Sequence, residues 1–363
     1  MTPYSPGKPI SEVKRELGLD TVVKLASNEN PLGPSPKAIS AVEAAAKDMH
    51  LYPDGAAFDL RAAISRKFGL PGDQIVMGNG SDELIHFLGL LLLGSPEDEV
   101  IVGDPSFVRY DSAADLAPAT LVKVPLDSNQ RHDLTAMAAR ASVHTKLIFI
   151  ANPNNPTGTI VRKPELDSFL KDLPAQVTVV LDEAYFEFAA DVPGYPNSVE
   201  YVKDGQPVVG LRTFSKAYGL AGIRIGYAFA PADIADGLER AREPFNVNSL
   251  AQVAAIAALS DEDHVRRTVE NNRLGMERMV TCLHEHGAKT WESFGNFVYA
   301  DLGRPSAPVY QSLLKEGIII RSGDVFGAPN CARITVGTEA EVNAFIEALN
   351  KVMDPSLLSV AAH

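Results

Sequence analysis

The chain has 363 residues, 45% of them hydrophobic, with a formal net charge of -13 and a pI near 5.1. That length supports a large core and about two domains, while the acidity repels polyanions and argues against nucleic acid or anionic membrane surfaces as partners. The longest apolar run, 88–93, is far too short to cross a bilayer, and Cys282 and Cys331 make no metal or redox spacing, so the expectation is no metal and a reducing cytoplasm.

The first nine residues are polar and proline-rich, unlike a signal sequence. With prolines at 3, 6, 9 and 31, residues 1–36 read as an extended N-terminal arm carrying one short helix at 10–17. Leu17, Leu19, Val22, Val23 and Leu25 on that arm require burial somewhere. The Ala-rich stretch 35–49 predicts a helix, 51–55 a turn, and 60–68 a second helix. A short strand at 74–77 runs into Gly78-Asn79-Gly80-Ser81-Asp82-Glu83 and an apolar helix that stops at Gly94. Such a unit aims backbone N–H groups and the helix dipole at one point, a ready site for an anion. A dinucleotide fingerprint does not fit this loop, because position 83 is Glu where that motif has Gly or Ala.

Strands and helices then alternate. The candidate strands are 99–102, 121–124, 146–150, 177–181, 208–211 and 224–229, and the candidate helices are 134–141, 164–171 and 231–242. Near-continuous Val/Ile/Leu strands imply a mostly parallel sheet covered on both faces. Functional groups should gather at the strand ends, where Asn155, Asp182 and Lys216 stand. The tail reads as a smaller α+β unit, with helices at 249–259, 265–286, 308–316 and 339–352 and strands at 296–301, 318–321 and 333–336. The expected fold is therefore α/β: an arm at 1–36, a large domain at 37–245 and a small C-terminal domain at 246–363.

The apolar run 207–211 leads into Thr213-Phe214-Ser215-Lys216-Ala217-Tyr218-Gly219-Leu220-Ala221-Gly222-Ile223-Arg224. A lysine among small and aromatic neighbours is partly desolvated, which lowers its pKa and frees its amine to attack an aldehyde. Thr213, Ser215 and Arg224 suit a phosphate, and the glycines let the backbone approach a ligand closely. Pyridoxal 5'-phosphate carries both groups. An isolated Ser-Lys pair beside a Gly-rich turn would be an ordinary surface feature; three other segments decide otherwise.

Those segments are Lys24-Leu25-Ala26-Ser27-Asn28-Glu29-Asn30-Pro31-Leu32-Gly33, Asn152-Pro153-Asn154-Asn155-Pro156-Thr157-Gly158 and Ala332-Arg333-Ile334-Thr335-Val336-Gly337. With the lysine stretch, they make the chain resemble the fold-type I aminotransferases of classes I and II, and within them the histidinol-phosphate aminotransferase subgroup. The resemblance implies a seven-stranded-type sheet around pyridoxal phosphate, with Lys216 as tether and base. It places Asp182 on the ring nitrogen, although Glu183 is a rival carboxylate and an aspartate at such a strand end is often only a helix cap. It places Asn155 and Tyr185 at the ring oxygen and Tyr110 on the ring face, where a plain core tyrosine is the alternative. Gly80, Ser81, Asp82, Thr213, Ser215 and Arg224 would cradle the phosphate. Tyr52 would reach the phosphate of a neighbouring subunit, which implies a homodimer with shared active sites.

For the substrate, the resemblance implies that Arg333 reads the acidic group, with Arg321 as a second contact and Tyr4 and Asn28 closing from the arm. The small-molecule partners would be an amino donor and a 2-oxo acid. Histidinol phosphate and 2-oxoglutarate would give imidazole acetol phosphate and glutamate, a step of histidine biosynthesis. An arginine fork binds phosphate or carboxylate alike, so an aromatic amino acid aminotransferase is a rival reading. A threonine-phosphate decarboxylase is an alternative of another class. A DNA-binding regulator on the same fold is disfavoured by the short, proline-rich arm before Lys24.

Overall fold

Seven segments, six of them carrying Val, Ile or Leu, assemble into one sheet in the computed structural model, which describes residues 7–353. Their order across the sheet is Ile75–Gly78, Gly226–Phe229, Val208–Thr213, Thr178–Asp182, Thr145–Ala151, Glu99–Asp104 and Thr120–Pro125. The five strands from Val208–Thr213 onward run parallel, and Gly226–Phe229 is antiparallel to both its neighbours. Side chains alternate between the faces, so Val180 packs into one apolar layer and Val179 and Leu181 into the other. Both faces are covered, as the unbroken apolar strands require. All five parallel strands end at the same edge. The chain order reverses between Glu99–Asp104 and Thr145–Ala151, and that reversal opens a crevice at the edge.

A second sheet is antiparallel, in the order Arg321–Ser322, Cys331–Thr335, Phe297–Asp301 and Lys289–Thr290. The helices Glu262–Glu285, Ser306–Lys315 and Glu339–Met353 enclose its core. The apolar residues of the arm find only part of the expected burial: Leu25 is buried, Leu19, Val22 and Val23 are half-buried, and Leu17 stays 40% exposed. Val13, on the helix Ile10–Leu17, packs with Ala26, Leu314 and Ile319. Val23–Lys24 pairs in parallel with Ile318–Ile319, and Leu25 enters the core of the second sheet. Full burial of one such Val or Leu side chain contributes about 1.5–3 kcal/mol, enough to hold a short segment against its unit.

Several elements depart from the pattern read in the sequence. The helices Asp111–Leu116, Phe186–Ala189 and Ser198–Lys203 were not anticipated, because six residues or fewer carry too little periodicity. The two-residue strands Val23–Lys24 and Lys289–Thr290 leave no pattern at all. The expected strand 318–321 splits into Ile318–Ile319 and Arg321–Ser322, which join different sheets. The expected strand 224–229 begins only at Gly226, because Arg224 adopts φ +57 in the left-handed region. Elsewhere local chemistry places boundaries as expected. Ser35 accepts a hydrogen bond from the Ala38 N–H at 3.1 Å and Pro36 takes the first turn, so a helix begins there.

Candidate active site

The crevice at the strand ends holds a pocket. Ser81, Asp82, Tyr110, Asn155, Asp182, Tyr185, Thr213, Ser215, Lys216 and Arg224 all line it. Phe107, Ala151, Pro153 and Ala184 complete the wall. Sequence reasoning named none of these four as site residues, because apolar wall positions carry no chemical signature.

Lys216 follows the strand Val208–Thr213. Its amine lies 3.4 Å from the Ser27 carbonyl. Burial, and then the positive charge of Arg333, lower its pKa to about 8. A useful share of the amine is therefore neutral near physiological pH. Asn30 donates from Nδ2 to the Ala217 carbonyl at 2.8 Å and fixes the backbone beside the lysine.

Asp182 is the last residue of Thr178–Asp182 and only 4% exposed. Burial raises its pKa to about 6, against hydrogen bonds that favour the anion. Tyr110 donates its hydroxyl to Oδ2 at 2.8 Å, and the Ala184 N–H donates to Oδ1 at 3.1 Å. The second bond is a local turn contact to the backbone two residues on, not a helix cap, because the next helix starts at Phe186 behind Tyr185; one carboxylate serves both the turn and the pocket. Glu183 is used elsewhere. Its Oε2 accepts from Arg212 Nε at 2.9 Å and from Ser198 Oγ at 2.5 Å, and its Oε1 accepts from the Ser198 N–H at 2.9 Å. The rivalry between the two carboxylates thus resolves in the fold. The Tyr110 ring stacks on Phe149 with centroids 4.7 Å apart, so this tyrosine is packed in the core and lines the pocket at once.

The helix Ser81–Leu92 begins at the pocket, preceded by Gly80 at φ +80. A Cβ at Gly80 would stand 2.5 Å from Arg224 Nη2, so only glycine lets that arginine lie over the helix start. Arg224 donates to the Ala221 carbonyl at 3.2 Å and to Asp82 Oδ2 at 3.5 Å. Thr213 donates to Ser215 Oγ at 3.0 Å and accepts from the Ser215 N–H at 3.1 Å. A helix N-terminus, two hydroxyls and a guanidinium suit a phosphate dianion. A buried carboxylate suits a protonated ring nitrogen, and a desolvated amine suits an aldehyde. The donor set fits pyridoxal phosphate.

Arg333 and Arg321 stand directly opposite each other on antiparallel strands, which places both side chains on one sheet face. Arg333 donates from Nη1 to Asn155 Oδ1 and from Nη2 to the Ala26 carbonyl, each at 2.6 Å. It thereby ties the second sheet to the pocket and orients the Asn155 amide. Asn28 is 1% exposed, and its amide bonds to Tyr185 and Thr335. Tyr52 lies apart from the pocket, 83% exposed and stacked on Phe245 at 4.8 Å. Tyr4 lies outside the described residues. Among the described residues, no cluster of His, Cys, Asp and Glu forms a metal site, and no helix is long and apolar enough to cross a membrane.

Residues 20–349 match the family model for aminotransferase class I and II. A relative from Moorella thermoacetica named histidinol-phosphate aminotransferase is 48% identical over 97% of this chain and 90% of that protein. One from Carboxydothermus hydrogenoformans, named histidinol-phosphate aminotransferase 2, is 46% identical over 98% of this chain and 97% of its own length. The crystal structure of histidinol-phosphate aminotransferase from Sinorhizobium meliloti in complex with pyridoxal-5'-phosphate superposes with a TM-score of 0.89. It is 29% identical, and the match covers 97% of this chain and 96% of that one.

Proposed function

This chain belongs to the class I and II aminotransferases, and from that premise we propose that it converts histidinol phosphate and 2-oxoglutarate into imidazole acetol phosphate and glutamate. The observation that carries the choice of donor is the facing pair Arg321 and Arg333. Two arginines on one face of the sheet offer two positive charges, which match the double charge of a phosphate monoester better than the single charge of a carboxylate.

Pyridoxal phosphate, when bound, supplies an aldehyde for the tether and a ring that withdraws electrons from the substrate carbon. Lys216 provides the tether. Its amine, once released by the incoming donor, moves the proton at the carbon that bears the amino group. Asp182 holds the ring-nitrogen proton from the floor of the pocket. Asn155 and Tyr185 donate to the ring oxygen, and the walls Tyr110 and Phe107 confine the ring. The backbone N–H groups of Ser81 and Asp82 behind Gly80, with Thr213, Ser215 and Arg224, hold the phosphate. The chain divides its labour among the arm at 1–36, the cofactor unit at 37–245 and the small unit at 246–363. Arg333 is the link across to the small unit.

The active form in this reading is a cytoplasmic homodimer. Met49, Leu51, Tyr52 and Phe58 are exposed near the start of the cofactor unit, with Phe245 stacked on Tyr52, apolar surface that a second copy of the chain would cover. Tyr52 then supplies its hydroxyl to the partner's phosphate cradle.

The test is a single-turnover half-reaction. The yellow holoenzyme is mixed separately with histidinol phosphate, phenylalanine, tyrosine and phosphothreonine while its visible absorbance is followed. Fast bleaching with histidinol phosphate, reversed by 2-oxoglutarate, supports the proposal. Bleaching only with the aromatic amino acids makes the chain an aromatic aminotransferase. Carbon dioxide release from phosphothreonine moves it to the decarboxylases.

A further inference from the structure

Asn28 occupies a backbone position at φ +55 that few side chains tolerate. Asparagine, aspartate and glycine are the residues that accept it most readily. Of these three, only asparagine carries both a donor and an acceptor on one rigid group. Both are used. Nδ2 donates to the Tyr185 hydroxyl oxygen at 2.8 Å. Oδ1 accepts from Thr335 Oγ1 at 2.9 Å, and Thr335 Oγ1 in turn accepts from the Asn28 N–H at 3.0 Å. The Asn28 carbonyl is held by Asn296 Nδ2 at 3.1 Å. Asn28 is therefore clamped on three sides and keeps only one group directed at the pocket wall.

An amide N–H only donates. The Tyr185 oxygen must accept it, and the phenol's own proton is turned away from Asn28. We infer that Asn28 is a positioning residue: it sets the direction of the Tyr185 hydroxyl so that Tyr185 acts as a donor toward the cofactor's ring oxygen, with Thr335 holding the amide in register. The inference rests on the aminotransferase reading and deepens it. It replaces the direct substrate contact expected of Asn28 with an indirect role, and it couples the second sheet, through Thr335, to the electronics of the cofactor.

The charged and titratable groups around Tyr185 set the background for a test. Lys216 Nζ lies 5.7 Å from the Tyr185 ring centroid. Asp182 and Tyr110 share the same pocket. Arg333 lies over Phe297, whose ring packs edge-on against Tyr185. None of these is altered by changing Asn28 to a residue that tolerates the same backbone.

The experiment is a pH titration of the visible band of the holoenzyme, with kinetics alongside, for Asn28→Gly, Tyr185→Phe and the double variant. Glycine keeps the backbone and removes the amide. A Tyr185 hydroxyl no longer directed at the ring oxygen leaves that oxygen more basic. The titration of Asn28→Gly is therefore expected to move up by about one pH unit, with kcat about tenfold lower and KM nearly unchanged. In the Tyr185→Phe background, Asn28→Gly adds no further shift. A wild-type titration in Asn28→Gly, or the same added shift without the Tyr185 hydroxyl, overturns the inference. If Asn28→Gly does not fold, Thr335→Val carries the test, because it keeps the amide but frees it. It should shift the titration the same way, and an unshifted titration there overturns the inference. A wild-type protein that shows no visible cofactor band would instead strike at the aminotransferase reading itself.

Discussion

Asp182 and Glu183 are neighbours in the chain and both are buried, yet they belong to two regions with opposite designs. Glu183 sits in a closed box. Arg212 and Ser198 satisfy it, Asn197 Oδ1 accepts from Arg212 Nη2 at 2.8 Å, and the guanidinium lies 3.4 Å from the centroid of the Phe186 ring. Arg212 and Glu183 are each 1% exposed. Asp182 sits in an open pocket. It receives a phenol and one backbone N–H, no cation among the described residues is bonded to it, and burial pushes its pKa up to about 6. The contrast separates a charge that serves the fold from one reserved for a ligand. A buried pair is neutralised within the protein, whereas a site leaves its charge for the ligand to complete.

The largest expected effect tests the pocket side alone. Lys216→Ala should lower kcat by on the order of 10⁴-fold or more and leave no covalent cofactor after borohydride reduction, read by intact mass. Near-normal turnover would remove Lys216 from the reaction.

The sharpest test exchanges the two carboxylates. Asp182→Asn should lower kcat by about 10²–10³-fold without lowering the urea unfolding midpoint, because it removes a charge that burial disfavours. Glu183→Gln should do the reverse. It strands the Arg212 charge and costs about 3–5 kcal/mol of stability, with kcat per folded molecule nearly unchanged. Similar profiles for both variants would erase the contrast.

A smaller effect is expected at the apolar patch. Tyr52→Phe should weaken cofactor retention by about tenfold, the loss of one hydrogen bond to a charged group. Equilibrium dialysis of the cofactor reads it, and light scattering should still report a dimer. Unchanged retention would take Tyr52 out of the neighbouring site.

The mildest changes are in pH. Lys216 is lowered from 10.5 to about 8 by burial and then by Arg333. Capture of pyridoxal phosphate by the apoenzyme should therefore rise with a midpoint near pH 8, and Arg333→Gln should move that midpoint upward. Between pH 8 and 10.5 the unfolded chain keeps the Lys216 proton that the folded chain has lost, so this group adds stability as pH rises through that window. Asp182 behaves oppositely. Between 3.8 and about 6 the folded state keeps a proton that the unfolded state has lost, so its contribution falls as pH rises through that window. Urea midpoints of Asp182→Asn against wild type across pH 4–6 check the sign; parallel curves would show that Asp182 is not the group titrating.

The sequence by itself determined the α/β class, the order of the long elements and most of the pocket. Those features are local: an apolar strand, a turn of glycines or Asn-Pro, and a polar group at the strand end are written within a dozen residues. Lys216, Asn155 and Arg224 were legible for that reason. What only the tertiary structure decided is how distant groups share their hydrogen bonds. Asp182 and Glu183 look alike in a string, and it took Arg212 on the neighbouring strand and Ser198 on an unanticipated helix to divide them. The arm's valines and leucines announced a need for burial but not the partner, which the short pairing of Val23–Lys24 with Ile318–Ile319 supplies. The sequence points Asn28 at a substrate; only the fold shows Thr335, 307 positions away, bonded to the amide that also bonds Tyr185. Hydrogen-bond capacity is a property of a residue, but the partner that consumes it is a property of the fold.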